Sequence, residues 1–473
     1  MLEQHGELDR PVRTVEFDSR AVQAESLFVA VPGTQVDGHD YLEKAIEQGA
    51  TALLVERMPR DRRPELTYVR VARTQQELGR MMANFYDNPA EELVMVGVTG
   101  TNGKTTVATL LHQLFTRLGV KTGLVSTIRH KIGEEDFPST HTTPDPKQLH
   151  SLFRQMVEKG CEICCMEVSS HALHQGRTVG IPFKAGLFTN LSHDHLDYHG
   201  TFKAYLQAKK LLFDGLGKKS VALTNLDDRN GRVMVQNTAA AVKTYSLRSM
   251  ADYRARLLEN TFEGLLLEID GEQTWFRLRG SFNASNLLLA YATAVELGYE
   301  KEEVLRALST VEGAEGRFQV LRRAVEQKTG IVDYAHTPDA LKNVLQTIRD
   351  VSQGQNRVIT VVGCGGNRDR AKRPEMARIA TELSDKVIFT SDNPRDEDPE
   401  AILDEMMAGV PPGVQPLVLR ITARREAIRT AVALSQPGDV ILVAGKGHET
   451  YQEIKGTRHP FDDREILNEA MNT

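Results

Sequence analysis

Ten short apolar runs punctuate the chain: "SLFVAV" (26–31), "ATALLV" (50–55), "ELVMVGVTG" (92–100), "KTGLVST" (121–127), "EICCMEV" (162–168), "KAGLFTNL" (184–191), "SVALTN" (220–225), "RVITVVG" (357–363), "KVIFTS" (386–391) and "DVILVAG" (439–445). Runs of this length, ended by glycine or polar residues, predict strands buried on both faces. Between them apolar residues recur at helical spacing, as in "VATLLHQLFTRLG" (107–119) and "FKAYLQAKKLLF" (202–213). Strands alternating with amphipathic helices predict an α/β protein with largely parallel sheets. No fixed-period repeat or low-complexity tract interrupts the pattern.

Length then sets the domain count. At 473 residues the chain exceeds a typical domain of roughly 100 to 200 residues, so about three are expected. Seams are expected near "NPAEEL" (88–93) and "VEGAEGRF" (311–318), giving segments 1–92, 93–316 and 317–473. The charged, proline-bearing "RMPRDRRPE" (57–65) is expected to be a surface loop inside the first.

Charge and cysteine content narrow the class. With 58 basic and 64 acidic residues the formal net charge is −6, and no block of one sign suggests a nucleic-acid or membrane surface. "MLEQHGELDR" lacks the apolar core of a signal peptide, and no run approaches the ~18 residues of a membrane span. A cytoplasmic protein, without nucleic-acid or membrane partners and monomeric, is expected. Three of the four cysteines lie in "CEICC" (161–165), where a second half of a zinc site is missing; they are expected to be small core thiols, as is Cys364.

"VGVTGTNGKTT" (96–106) places a strand, a glycine loop and a helix start in the order that binds phosphate: backbone N–H groups and the helix dipole face the anion, and Lys104 adds a full charge. The general pattern wants a glycine where Val98 stands. Thr105 is placed to offer a hydroxyl to Mg²⁺. Glu167 ends the strand of "CCMEVSSHAL", where an α/β sheet presents ligand-binding groups. Three histidines and two aspartates crowd residues 193–199; spacing alone leaves zinc and magnesium both open, and the nearby phosphate loop tips the choice to magnesium. Lys209 and Lys210 read, by pattern alone, as a solvated helix face. Asn283 and Asn286 stand at the front of a helix, as cap formers first and nucleobase contacts second. Four polar loops, at 332–341, 361–374, 390–399 and 443–452, each follow an apolar strand and suggest one shared crevice.

Taken in order, "GTNGKTT", "EVSSHAL", "NLSHDHLDYHG", "FNASN", "EGRF" and "DYAHTPDAL" resemble the Mur ligases, which add amino acids to the peptide of the bacterial cell-wall precursor. With "DSR" (18–20) and the C-terminal loops the resemblance spans nearly the whole chain. It implies an N-terminal UDP-sugar-binding domain, a central P-loop ATPase-like ligase domain and a C-terminal Rossmann-like domain that binds the amino acid. It also implies ATP and Mg²⁺. By the same resemblance Gly100, Thr101, Asn102, Gly103, Lys104, Thr105 and Thr106 cradle ATP, with Asn283, Asn286 and Asp333 on the nucleotide. Thr105, Glu167, His195 and a carbamylated Lys209 are the expected metal ligands, and Arg317 lies near the transferred phosphate. Phe17, Ser19, Thr34, Gln35 and Val36 are expected on the uridine side. His141, Thr142, Thr143, Ser169, Gln175 and Arg177 are expected on the muramoyl dipeptide; His141 stands where many relatives carry Asn, and can still donate.

The amino acid is implied by "DNPR". Members adding meso-diaminopimelate carry an arginine there, and a guanidinium can grip the distal carboxylate that lysine lacks. Asp392, Asn393, Pro394 and Arg395, with Arg368, Gly445 and Glu449, are the expected contacts, Glu449 suiting the distal ammonium. A lysine-adding member or a folylpolyglutamate-synthase-like ligase is the alternative of the same class. A P-loop switch without ligase chemistry would leave the histidine-rich and C-terminal loops unexplained.

Overall fold

The computed structural model describes residues 1–33, 36–323, 328–414 and 417–472. All ten apolar runs form strands, and these lie in three sheets. The first has five strands in the order Glu3–His5, Thr67–Arg70, Ala50–Val55, Ser26–Val29 and Thr14–Glu16, parallel except at the Glu3–His5 edge. The loop at 57–65 is largely exposed, as its composition predicts.

The second sheet has eleven strands. Its parallel centre runs Tyr253–Asn260, Ala241–Ser246, Val221–Asn225, Phe183–Phe188, Val94–Thr99, Ile163–Glu167 and Thr122–Val125. Antiparallel strands extend both edges: Leu265–Ile269 and Glu272–Phe276 at one, Arg129–Ile132 and Glu135–Pro138 at the other. Alternation along each strand feeds two cores. Val96, Val98 and Cys165 pack with helices Lys104–Arg117 and Phe282–Glu296, whereas Met95, Cys164 and Met166 pack with Pro146–Glu158 and Phe202–Asp214. Neighbouring Cys164 and Cys165 thus face opposite cores and cannot share one metal. All four cysteines are buried and free, and burial pushes their thiols up.

The third sheet orders Gln319–Arg323, Lys328–Asp333, Val440–Ala444, Val358–Val362, Lys386–Phe389 and Val418–Arg420, all parallel but the first. Helices Pro338–Val351, Lys372–Leu383 and Pro399–Met407 cover one face; Arg424–Leu434 and Asp463–Asn472 cover the other. The sheet is doubly wound, so the four polar loops foreseen at strand ends all leave one edge, the carboxyl edge where such sheets bind ligands. A two-stranded hairpin, Tyr451–Ile454 and Thr457–Pro460, stands beside it. Among the described residues no helix is long and apolar enough to cross a membrane.

Candidate active site

The glycine loop is shaped by contacts that tolerate no side chain. A Cβ on Gly100 would stand 1.9 Å from the Thr189 hydroxyl, and one on Gly103 2.8 Å from Asn286 Oδ1, with Gly103 at a left-handed φ of 88°. Thr101 N donates to Asn190 O (2.8 Å) and Asn102 N to Asn190 Oδ1 (2.9 Å), which binds the loop to the end of the neighbouring strand. Lys104 Nζ folds back onto the carbonyls of Gly100 (2.9 Å) and Thr101 (2.8 Å), and burial holds its ammonium below the ordinary lysine range.

Beside the loop, oxygen atoms converge. Thr105 Oγ1 donates to Glu167 Oε2 (3.0 Å), and Thr127 donates to the same carboxylate from its N–H (2.7 Å) and hydroxyl (3.2 Å). Arg317 reaches across from the third segment to donate to Thr105 Oγ1 (3.2 Å), its guanidinium lying 4.4 Å from the Tyr334 ring centre.

Lys209 and Lys210 are both buried, against the reading of a solvated helix face. Helical periodicity cannot tell a face turned to water from one turned to a polar site. Lys210 pairs with Asp214 one turn on. Lys209 Nζ points to the Gly100 carbonyl (2.7 Å) and lies 4.7 Å from the Tyr205 ring centre. Burial, and then the charge of Lys104, drive its ammonium well below the ordinary range.

The histidine-rich loop folds over this region. His195 has a left-handed φ of 54°; its N–H donates to Asp194 Oδ1 (2.9 Å) and its ring stands edge-on to His171 at 4.8 Å. His199 Nε2 is 3.0 Å from the Ser170 hydroxyl, and Tyr198 OH accepts from Gln175 Nε2 (3.0 Å). Among the described residues no three His, Cys, Asp or Glu side chains converge on one point. Zinc, which takes four protein N or S ligands in structural sites, finds no cage here; the oxygen donors of Thr105 and Glu167 suit Mg²⁺, which takes few protein ligands beside phosphate oxygens and water.

Next to the loop opens a cavity of about 930 Å³, lined by Asn102, Gly103, Thr106, Asn286, Asp333 and Asp339 among others. Asn283 lies behind Asn286, whose amide donates to Asn283 Oδ1 (2.8 Å). Asp333 lines the cavity, but its two oxygens already accept from Phe318 N (2.7 Å) and Ala335 N (2.7 Å), so in this structure it anchors the "EGRF" turn. Burial pushes its carboxyl up, against the pull of Arg317 and those two N–H groups.

The residues expected to contact the dipeptide divide. Thr142 Oγ1 lies 3.0 Å from Thr127 Oγ1; Thr143 bonds Glu167 O (2.8 Å) and receives Ser169 N (3.0 Å); Arg177 grips Thr143 O (2.8 Å) and Gln175 Oε1 (2.9 Å). These five line up behind Glu167, whereas His141 is exposed at the rim. Phe17, Ser19 and Val36 lie on the first segment, joined to the second beside Phe17 by the Glu16–Lys147 ion pair (2.6 Å). Thr34 and Gln35 lie outside the described residues.

The residues expected to contact the amino acid gather at the carboxyl edge of the third sheet. Arg395 adopts φ 51° and donates from its guanidinium to Gly366 O (2.7 Å). Gly366 has no room for a Cβ, which would meet Pro394 O at 1.9 Å. Asn393 Nδ2 donates to Glu449 Oε2 (2.8 Å), and a Cβ on Gly445 would press on Asp392 Oδ2 at 2.5 Å. Burial would raise Asp392, but Lys446 and Arg424 outweigh it and hold the carboxylate below its ordinary range; burial wins at Glu449 and pushes it up. Arg368 extends from the neighbouring loop and is exposed.

Four residues of this site carried no sequence signal strong enough to single them out: Thr127, Tyr198, Tyr205 and Lys446. Thr127 and Lys446 both follow strands, so position at the carboxyl edge was the available clue. Tyr205 reads as an ordinary helix residue, and Tyr198 stands in the histidine-rich loop among residues with stronger ligand chemistry.

Family models match three consecutive segments: the Mur ligase family catalytic domain over residues 11–86, the Mur ligase middle domain over 98–294, and the Mur ligase glutamate ligase domain over 316–447. A Cytophaga hutchinsonii protein named UDP-N-acetylmuramoyl-L-alanyl-D-glutamate–2,6-diaminopimelate ligase is 54% identical over 469 residues, covering 99% of this chain and 96% of its own length. A Phocaeicola vulgatus protein of the same name is 53% identical over 466 residues, covering 98% and 96%. A solved structure of a ligase of that name matches with a TM-score of 0.68 at 35% identity, over 98% of this chain and 95% of the other.

Proposed function

The chain belongs to the Mur ligase family, and we propose that it joins meso-2,6-diaminopimelate to UDP-N-acetylmuramoyl-L-alanyl-D-glutamate in an ATP-driven amide synthesis. The observation that carries this reading is Arg317, which touches Thr105 beside the phosphate loop while stacking on Tyr334, itself 5.1 Å from His448 in the loop of Gly445 and Glu449. Phosphate chemistry and amino-acid binding meet across one arginine. The names of relatives above half identity support the substrate pair.

In this reading residues 1–92 hold the uridine end, 93–316 hold ATP and the dipeptide, and 317–473 hold the amino acid. A free carboxylate is a poor electrophile, so the γ-phosphoryl of ATP is passed to the D-glutamyl carboxylate first; the amine then attacks the acyl phosphate, and the tetrahedral intermediate collapses to amide and phosphate. Two anions must meet, and fixed positive charge lowers that barrier. Lys104 and the loop N–H groups hold the β- and γ-phosphates, and Arg317 stabilises the charge that moves to the transferred group. Asn286 and Asn283 shape the nucleotide cavity, and Thr142, Thr143, Ser169, Gln175 and Arg177 orient the dipeptide carboxylate.

Thr105 and Glu167, with His195 and a carbamylated Lys209, are the residues that would hold Mg²⁺, which supplies Lewis-acid charge on the phosphoryl oxygens when bound. The fit rests on the pre-aligned Thr105–Glu167 oxygens and on a buried Lys209 amine whose proton is easily lost, since only a neutral amine adds CO₂. Arg395 grips the distal carboxylate of the incoming amino acid, and Glu449 its distal ammonium.

Phosphate release is measured with ATP, Mg²⁺, UDP-muramoyl dipeptide and either diaminopimelate or lysine. Faster release with diaminopimelate is expected; faster release with lysine sinks the specificity assignment.

A further inference from the structure

Lys446 follows the strand Val440–Ala444 and is fully buried. Its Nζ donates to Asn393 Oδ1 (2.9 Å) and to Glu449 Oε2 (2.9 Å) and lies 5.5 Å from the Tyr451 ring centre. Asn393 Nδ2 donates to that same Glu449 oxygen (2.8 Å). Lysine, amide and carboxylate therefore close a ring in which Asn393 has one possible orientation: its oxygen faces the ammonium, its nitrogen the carboxylate. Both bonds to Glu449 fall on Oε2, which leaves Oε1 outside the ring.

The ring also reaches Arg395. Asn393 Oδ1, held by Lys446, accepts from Glu453 N (2.9 Å) in the hairpin, and Glu453 O accepts from Arg395 N (3.1 Å). The Glu453 carboxylate stands 3.6 Å from Arg395 Nε. Arg395 keeps an unfavourable left-handed backbone that these hairpin bonds enforce. A buried ion pair is weak support for folding stability, because desolvating two charges consumes much of their attraction. Stability alone is therefore a weak account of the Lys446 ammonium.

We propose that Lys446 is a positioning residue for the amino-acid substrate. It fixes Oε2 of Glu449 and the amide of Asn393, so that Oε1 of Glu449 and the guanidinium of Arg395 stand ready for the ammonium and carboxylate of one zwitterionic carbon. The incoming amino acid then meets groups already ordered, without first having to freeze them. The proposal rests on the reading above, in which Asn393, Arg395 and Glu449 receive the amino acid.

The test is Lys446→Met, which keeps length and removes charge, in the full chain with all three substrates. The KM for diaminopimelate should rise at least ten-fold while the KM for ATP stays within two-fold. In the double variant Lys446→Met/Glu449→Gln the amino-acid KM should rise by clearly less than the product of the two single effects, because the lysine acts in part through that carboxylate. An unchanged amino-acid KM in folded Lys446→Met, or KM effects that multiply in the double variant, overturns the proposal. Should Lys446→Met not fold, Lys446→Gln decides: it keeps a polar donor in the buried site but removes the charge, and must raise the amino-acid KM while the KM for ATP stays within two-fold. If the wild-type enzyme prefers lysine the substrate reading fails instead, and the same ratios measured with lysine judge Lys446.

Discussion

Lys104 and Lys209 donate to one acceptor: their Nζ atoms lie 2.9 and 2.7 Å from the carbonyl oxygen of Gly100. Two full ammonium groups at this separation repel, and Lys209 is both fully buried and disfavoured by the charge of Lys104. The surroundings thus favour the neutral amine, the form able to add CO₂ to give the carbamate proposed above.

Lys209→Ala should therefore lose activity by about 10- to 100-fold, the scale on which metal-site groups act. Added formate or acetate should restore part of it by supplying the missing oxygen ligand. Failure of any short carboxylate to rescue, at concentrations that leave the wild type unaffected, counts against the carbamate.

Arg395→Ala removes a charge-assisted contact worth roughly 1.5 to 3 kcal/mol, so the KM for diaminopimelate should rise about 10- to 100-fold. Nucleotide affinity, measured by calorimetry, should stay near that of the wild type, since Arg395 sits on the loop at 390–399 and not on the nucleotide cavity. A comparable loss of ATP binding contradicts the assigned role.

Glu315 pairs with Arg129 of the central sheet and with Arg464 at the start of the last helix, two residues before Arg317. Each arginine also has a carboxylate of its own, Arg129 with Asp136 (2.7 Å) and Arg464 with Asp462 (2.5 Å). Glu315→Gln thus strands no charge. Stability should fall by no more than about 1 kcal/mol, the value of partly exposed pairs. Turnover should drop several-fold through misplacement of Arg317, and its sensitivity to salt should diminish. Equal activity and equal salt dependence in the variant would remove Glu315 from the machinery.

His150 is buried beside Phe153 (5.7 Å, edge-on), and neither ring nitrogen has a hydrogen-bond partner. Burial depresses its pKa to about 4. Below pH 6.5 the unfolded chain protonates this imidazole and the folded one does not, so stability is lost as pH falls from about 6.5 to about 4, by on the order of 3 kcal/mol. Volume-matched His150→Leu should flatten the pH dependence of urea unfolding across that window. An unaltered slope would assign the acid sensitivity to other groups, among them His130, which burial also depresses to about 4.

The strands legible in sequence are those buried on both faces. "VMVGVT" and "VILVA" are apolar throughout because helices cover both sides of their sheets. The edge strands Arg129–Ile132 and Glu135–Pro138 and the hairpin Tyr451–Pro460 carry no such apolar run, because most of their side chains are partly or fully exposed and mimic loop composition.

By itself the sequence determined the α/β class, the phosphate loop and, through motifs in order, the family and the residue types of the site. Such features are local: a strand, a glycine turn and a helix start are written in consecutive residues. Tertiary structure decided what those residues do to one another. Only folding takes Lys209 out of water and sets it on the Gly100 carbonyl, brings Arg317 across to Thr105, and closes the ring of Lys446, Asn393 and Glu449. Burial and long-range charge pairs depend on which distant segments meet, and helical or strand periodicity carries no record of that.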